Sequence, residues 1–160
     1  DDLAEIERAE FLKIDVQGAE LQVFKGAENL LATTLMIQTE VEFVELHENQ
    51  PLFADVDAYL RSLGFMFHCF AENPMGRSFK PLMINNDKHA KINQCLWADA
   101  IYVRSWLDLI TLSSFQLLTY ATLALYIAKS PGLAMKALLS FDEKNSTALG
   151  SELLGFLQSN

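Results

Sequence analysis

The chain has 160 residues, about half of them apolar, with 11 Phe, 4 Tyr and 2 Trp. That supply of apolar side chains is enough to pack one domain and too rich for a disordered chain. Twelve basic against twenty-one acidic residues leave a net charge of −9 with no local basic patch, which excludes nucleic acid and anionic lipid as favoured partners.

The amino terminus, "DDLAEIERAE", is acidic and shows no secretory signal. "FLKIDV", Phe11 to Val16, is apolar at nearly every position, as a short strand covered on both faces would be. Gly18 ends it. From Ala19 to Leu31 apolar residues recur at three- and four-residue spacings, which predicts a helix. The next segment, "LMIQTEVEFVEL" from Leu35, alternates: Leu35, Ile37, Thr39, Val41 and Phe43 share one face, Gln38, Glu40 and Glu42 the other. The second face is too acidic for an ordinary core, so it faces either solvent or a polar site, with Glu42 read as solvated beyond the strand end.

Asn49 to Pro51 predict a helix start, Val56, Leu60 and Leu63 its buried stripe, and Gly64 its end. "FMFHCF", Phe65 to Phe70, is strand-like, with His68 a core residue. A loop-rich stretch follows from Ala71 to Trp97, holding Pro81, the "NND" at Asn85 to Asp87, and His89; "ADAIYVR", Ala98 to Arg104, is a last strand. From Trp106 the pattern is helical only, predicting helices over 107–128, 131–141 and 146–158. The alternation of strands and helices gives an α/β fold with a helical appendage. Leu109 to Ile127 carries no charge and is long enough to span a bilayer, but its Ser, Thr and Gln residues favour a buried helix or helix pair over a membrane span. Cys69 and Cys95 lack the spacing of a metal or redox pair and read as reduced, buried thiols of a cytoplasmic protein.

Three blocks, "FLKIDVQGAELQVFKGAENLL", "EVEFVELHENQPLFADVDAYLRSLGF" and "WADAIYVR", in this order and spacing, resemble the carboxyl-terminal half of FkbM-type methyltransferases over residues 3 to 105. The resemblance implies S-adenosylmethionine as cofactor and O-methylation of a hydroxyl on a sugar or small metabolite. It also implies a Rossmann-like sheet of which strands four to seven are present, the last antiparallel and inserted between the fifth and sixth. Residues 1–105 would form this half-domain and 106–160 a helical tail. None of the seven glycines lies close enough to another to form a nucleotide-cradling loop. The first three strands and the cofactor loop are therefore expected to lie outside this chain, which would pair with a missing amino-terminal half or with a second copy. The alternative is a non-catalytic interaction module that pairs through its sheet edge or helical tail.

Ligands of open α/β sheets sit beyond the carboxyl ends of the strands. Asp15 stands at such an end. It reads as a carboxylate that positions the acceptor hydroxyl or takes its proton, or as a turn residue bonding the backbone near Gly18; the resemblance favours the former. Glu40, on the adjacent strand, would converge with Asp15 on one substrate, and a metal site would need a further oxygen ligand that this pair does not supply, so no metal is assigned. His47 is a candidate general base in the following loop. Glu20 fits the first turn of its helix by the dipole and is a second candidate for substrate contact, while Gln50 and Phe53 would face the acceptor.

Overall fold

The computed structural model describes residues 6–77, 86–87 and 94–159. Strand β1 (Phe11–Ile14) leads through a turn to α1 (Glu20–Gly26) and α2 (Glu28–Thr33); β2 (Met36–Glu42), α3 (Phe53–Ser62), β3 (Phe65–Phe70) and β4 (Trp97–Arg104) follow. After a short 3-10 turn, Leu109–Thr111, come α4 (Ser114–Tyr126), α5 (Pro131–Asn145) and α6 (Leu149–Ser159). The four strands form one sheet in the order β1-β2-β4-β3. β1 and β2 are parallel, and β4 runs antiparallel to both β2 and β3. The last strand therefore lies between the two strands that precede it in the chain, the position that the resemblance implied for it. Among the described residues, β1 pairs on one side only.

Both faces of the sheet are covered, but unequally. On one, Ile14, Ile37, Val41, Ala100 and Tyr102 pack with Phe24, Leu31, Val56 and Leu60 from α1, α2 and α3. On the other, Met36, Ile101 and Val103 pack with Leu117, Tyr120 and Ala124 of α4 and with Leu133, Ala134 and Ala137 of α5. The tail thus shields the half of this second face nearest Met36. The other half carries Gln38, Glu40 and Asp99, which are only partly buried, and the tail's apolar cluster does not reach it.

Several boundaries differ from expectation. The helix predicted over Ala19 to Leu31 breaks at Ala27, immediately after Gly26, whose weak helix propensity makes it a natural joint. The helix predicted over 107–128 begins only at Ser114, because Ser113 and Gln116 form a capping box: Gln116 N donates to Ser113 Oγ at 3.2 Å and Ser113 N to Gln116 Oε1 at 3.0 Å. The uncharged stretch is thereby interrupted. No helix among the described residues is long and apolar enough to cross a membrane. α5 runs on to Asn145 and stops at Ser146 in the left-handed region (φ 54°); Asp142 then accepts from Leu149 N at 2.9 Å and Gly150 N at 2.8 Å, starting α6 three residues later than predicted. α3 starts at Phe53 rather than near Pro51, with Leu52 N donating to Asp55 Oδ2 at 2.9 Å. His68 is half-buried at a register shift between β3 and β4, and burial pushes its imidazole pKa down. Cys69 and Cys95 are free and half-buried. Pro81, Asn85 and His89, assigned to a loop, lie outside the described residues.

Candidate active site

The uncovered half of the second face lies at the carboxyl ends of β1 and β2. Register explains its acidity. Lys13 pairs with Gln38 and Ile14 with Thr39, so Asp15 follows β1 where Glu40 follows Thr39 on β2. Across the antiparallel pair, Glu40 meets Asp99 and Glu42 meets Trp97. The period of two puts all five on one face. Gln38 Nε2 donates to Asp99 Oδ2 at 2.9 Å. Burial, then the charges of Asp15, Glu20 and Asp99, push the Glu40 pKa up.

A cavity of about 360 Å³ opens here, lined among others by Gln17, Glu40, Glu42 and Trp97. His47, Gln50 and Arg77 complete its polar wall. A second cavity of about 220 Å³ adjoins it, sharing Glu40 and Trp97 and adding Glu72, Asn73 and Asp99.

Two loops hold this wall in place. After β1 the chain turns through Gln17 (φ 54°) and Gly18 (φ 104°), both in the left-handed region. Glu20 closes the turn: Val16 N donates to its Oε1 at 3.0 Å and Gly18 N to its Oε2 at 2.9 Å. In the loop after β2, Gln50 is buried and its Oε1 accepts from Leu46 N and His47 N, each at 3.1 Å. Gln50 also backs directly on the first turn, since a Cβ at Gly18 would stand 2.6 Å from its Nε2. Gly18 is thus fixed both by conformation and by this close approach.

The candidates read from sequence separate accordingly. Glu40, His47 and Gln50 line the larger cavity, and Asp15 is exposed beside them, close enough for its charge to be felt at Glu40. Glu20 is correctly placed near the site, but both its oxygens are taken by backbone donors, which makes it the clasp of the turn. Phe53 requires a correction. Its ring stacks with Phe43, Phe67 and Phe70 at centroid distances of 5.5–6.0 Å, in the cluster on the opposite face of the sheet. Starting α3 at Phe53 turns that side chain into the core.

Glu42, expected to be solvated, is instead 3% exposed, facing the cavity with Gln50 as its hydrogen-bond partner. Burial, followed by the charges of Glu20 and Glu40, raises its pKa from 4.5 to about 7. The folded state therefore disfavours the ionised form. The stability linked to Glu42 is fully present below the unfolded value of 4.5 and is lost as pH rises through about 7. The loss amounts to about 2–3 kcal/mol. Urea denaturation at about pH 5 and about pH 8 will show a drop of that order in the native protein and less than half of it in Glu42→Gln.

Trp97, Asp99 and Gln17 join the site without having been candidates. Alternation in "WADAIYVR" carries a signal for the first two, but only the register with β2 brings them to the site. Among the described residues, no three His, Cys, Asp or Glu side chains come together closely enough to hold a metal ion.

Residues 1–67 match the methyltransferase FkbM domain family. No curated protein and no solved structure matches the chain. The match includes β1, β2 and the carboxylates at their ends but not the "WADAIYVR" block, which the sequence resemblance had included. The segment that builds the acidic wall of the cavity, from the β1 turn to the loop after β2, thus lies wholly within the part of the chain that matches FkbM-type methyltransferases.

Proposed function

We propose that the chain forms the acceptor side of an S-adenosylmethionine-dependent O-methyltransferase that acts on a hydroxyl group of a sugar or small metabolite. In this reading β1, β2, β3 and β4 correspond to the fourth, fifth, sixth and seventh strands of a Rossmann-like sheet. The observation that carries it is the cavity lined by Glu40 and Glu42 of β2, with Asp15 at the end of the neighbouring parallel strand close enough for its charge to be felt at Glu40, at the strand ends where such sheets bind ligands and inside the segment that matches the family. S-adenosylmethionine supplies an activated methyl group when bound. No two of the seven glycines lie close together in the sequence, so these residues offer no glycine-rich loop to cradle its nucleoside. The residues of this chain act on the acceptor: Glu40 and Gln50 orient it, and Asp15 takes the proton of the reacting hydroxyl, with His47 and Glu42 on the same wall.

Incubation of the chain, joined to an amino-terminal half that carries a cofactor loop, with S-adenosylmethionine labelled in its methyl group and a panel of hydroxylated acceptors tests this reading. Acceptor-dependent label in the product is the expected outcome. Absence of label from that assembly at millimolar donor, although calorimetry shows the donor bound, sinks it. That β1 pairs on one side only among the described residues favours a second reading, an interaction module that pairs through that edge, and a stable complex formed without methyl transfer would establish it.

A further inference from the structure

We propose that Gln50 is a positioning residue for the methyl transfer: it acts through Glu42, holding that carboxyl group at the inner end of the larger cavity, where it binds a hydroxyl of the acceptor other than the one that reacts. This role rests on the acceptor-side reading and makes the acceptor a polyhydroxylated molecule rather than a simple alcohol. Of the described residues that line the cavity, only Glu42 and Gln50 are buried, at 3% and 6% exposure. The Gln50 amide has one orientation open to it. Its Oε1 accepts from Leu46 N and His47 N, so Nε2 is the end left for Glu42, to which it donates. Gly18 confines the same Nε2, leaving no room there for a Cβ.

Both ends of Gln50 are thus engaged by the protein, and Glu42 is the member of the pair with capacity to spare. A carboxylate has about four acceptor sites. Gln50 and the Glu42 backbone N–H are its donors among the described residues. Asp15 stands at the end of β1 near Glu40, whereas Glu42 lies two residues further along β2, about 7 Å from Glu40. A ring with several hydroxyls covers that span; a molecule with one does not. The titratable and charged groups about Glu42 are Glu20 from α1, Glu40 from its own strand, and His47 and Arg77 on the cavity wall. Burial and the two acids hold the Glu42 pKa at about 7 against the Gln50 donor, so both forms are populated near neutrality. The ionised form takes the hydroxyl more strongly, because a charge-assisted hydrogen bond is roughly twice as strong as a neutral one. Acceptor KM therefore falls as pH rises through about 7.

Gln50→Glu separates positioning from structure. The new carboxylate still accepts from Leu46 N and His47 N, but the donor to Glu42 is lost and a like charge replaces it. By NMR, the Glu42 carboxyl 13C titration will move up by about one pH unit or more, while the Leu46 and His47 amide signals stay in place. In the native chain the Gln50 side-chain N–H signals will titrate together with Glu42 and will lose that titration in Glu42→Gln, a check that needs no change at Gln50. In the assembly that carries a cofactor loop, with the panel member it labels, Gln50→Glu will raise KM at least about threefold at about pH 8 with kcat changed less than about twofold, and the gap will close toward about pH 5.5. An unmoved Glu42 titration, Gln50 signals indifferent to Glu42, or a loss of kcat at unchanged KM overturns the proposal. Coupled titrations with no acceptor labelled uphold the Gln50–Glu42 unit and remove the methyltransferase reading instead.

Discussion

Arg104→Met will lower the free energy of unfolding by about 3–5 kcal/mol in urea denaturation followed by circular dichroism. Arg104 ends β4 and is half-buried, with burial pulling its pKa down from the usual guanidinium value. Its Nε donates to Thr34 O at 2.9 Å and its Nη1 to Leu63 O at 2.6 Å, and Nη2 donates to Leu31 O. Leu31 and Thr34 close α2, and Leu63 closes α3, so one cation answers carbonyls at two helix ends, where the dipoles also favour positive charge. The guanidinium carbon lies 4.1 Å from the Phe65 ring centroid. The Tyr120 hydroxyl donates to the Arg104 carbonyl at 2.8 Å, which ties the tail to the same residue. Methionine keeps the volume and takes the donor from the Thr34 and Leu63 carbonyls, while Leu31 O retains only Thr34 N at 3.2 Å. Lysine, with its compact charge, should recover only part of the loss, because it cannot span the three carbonyls as a planar fork does. A cost below about 1 kcal/mol for Arg104→Met would show that the carbonyls find other partners.

None of this is visible in the sequence, where Arg104 is simply the last residue of an alternating strand. Its acceptors stand 41 to 73 positions earlier in the chain, and only the completed sheet brings two helix ends to one place. Local patterns are legible. The apolar run at Phe11, the alternation from Leu35 and the stripe at Val56 and Leu60 each record a burial environment set by neighbours two to four residues away. The convergence of Asp15 and Glu40 is legible for a related reason: parallel neighbours joined by a helical crossover end at the same edge, and a period of two fixes which residues point alike. Glu42 obeys the same period, yet its burial depends on the 43–50 loop folding back so that Gln50 covers it, which no periodicity encodes. Phe53 fails at a boundary. Two residues of uncertainty in where α3 starts decide whether that ring faces a loop or the aromatic core. At α4 the S-x-x-Q signature is present at Ser113, but the unbroken apolar run around it masks the stop.

Asp15→Asn is expected to lower the turnover of acceptor methylation by about a hundredfold or more while changing the unfolding free energy by no more than about 0.5 kcal/mol. The two effects separate because Asp15 is exposed and asparagine preserves its shape, so little packing is disturbed. What changes is the charge near Glu40. The carboxamide cannot accept a proton from an attacking hydroxyl, and it no longer repels the ionised form of Glu40. Asp15 is one of the charges that hold the Glu40 pKa up, after burial itself. The carboxyl 13C resonance of Glu40 should therefore titrate at lower pH in the variant than in the native protein. A purely structural Asp15 would not produce that displacement together with an intact fold. Loss of stability in step with loss of turnover would make the residue a turn-former, and an unmoved Glu40 titration would mean that the two carboxylates do not share one site.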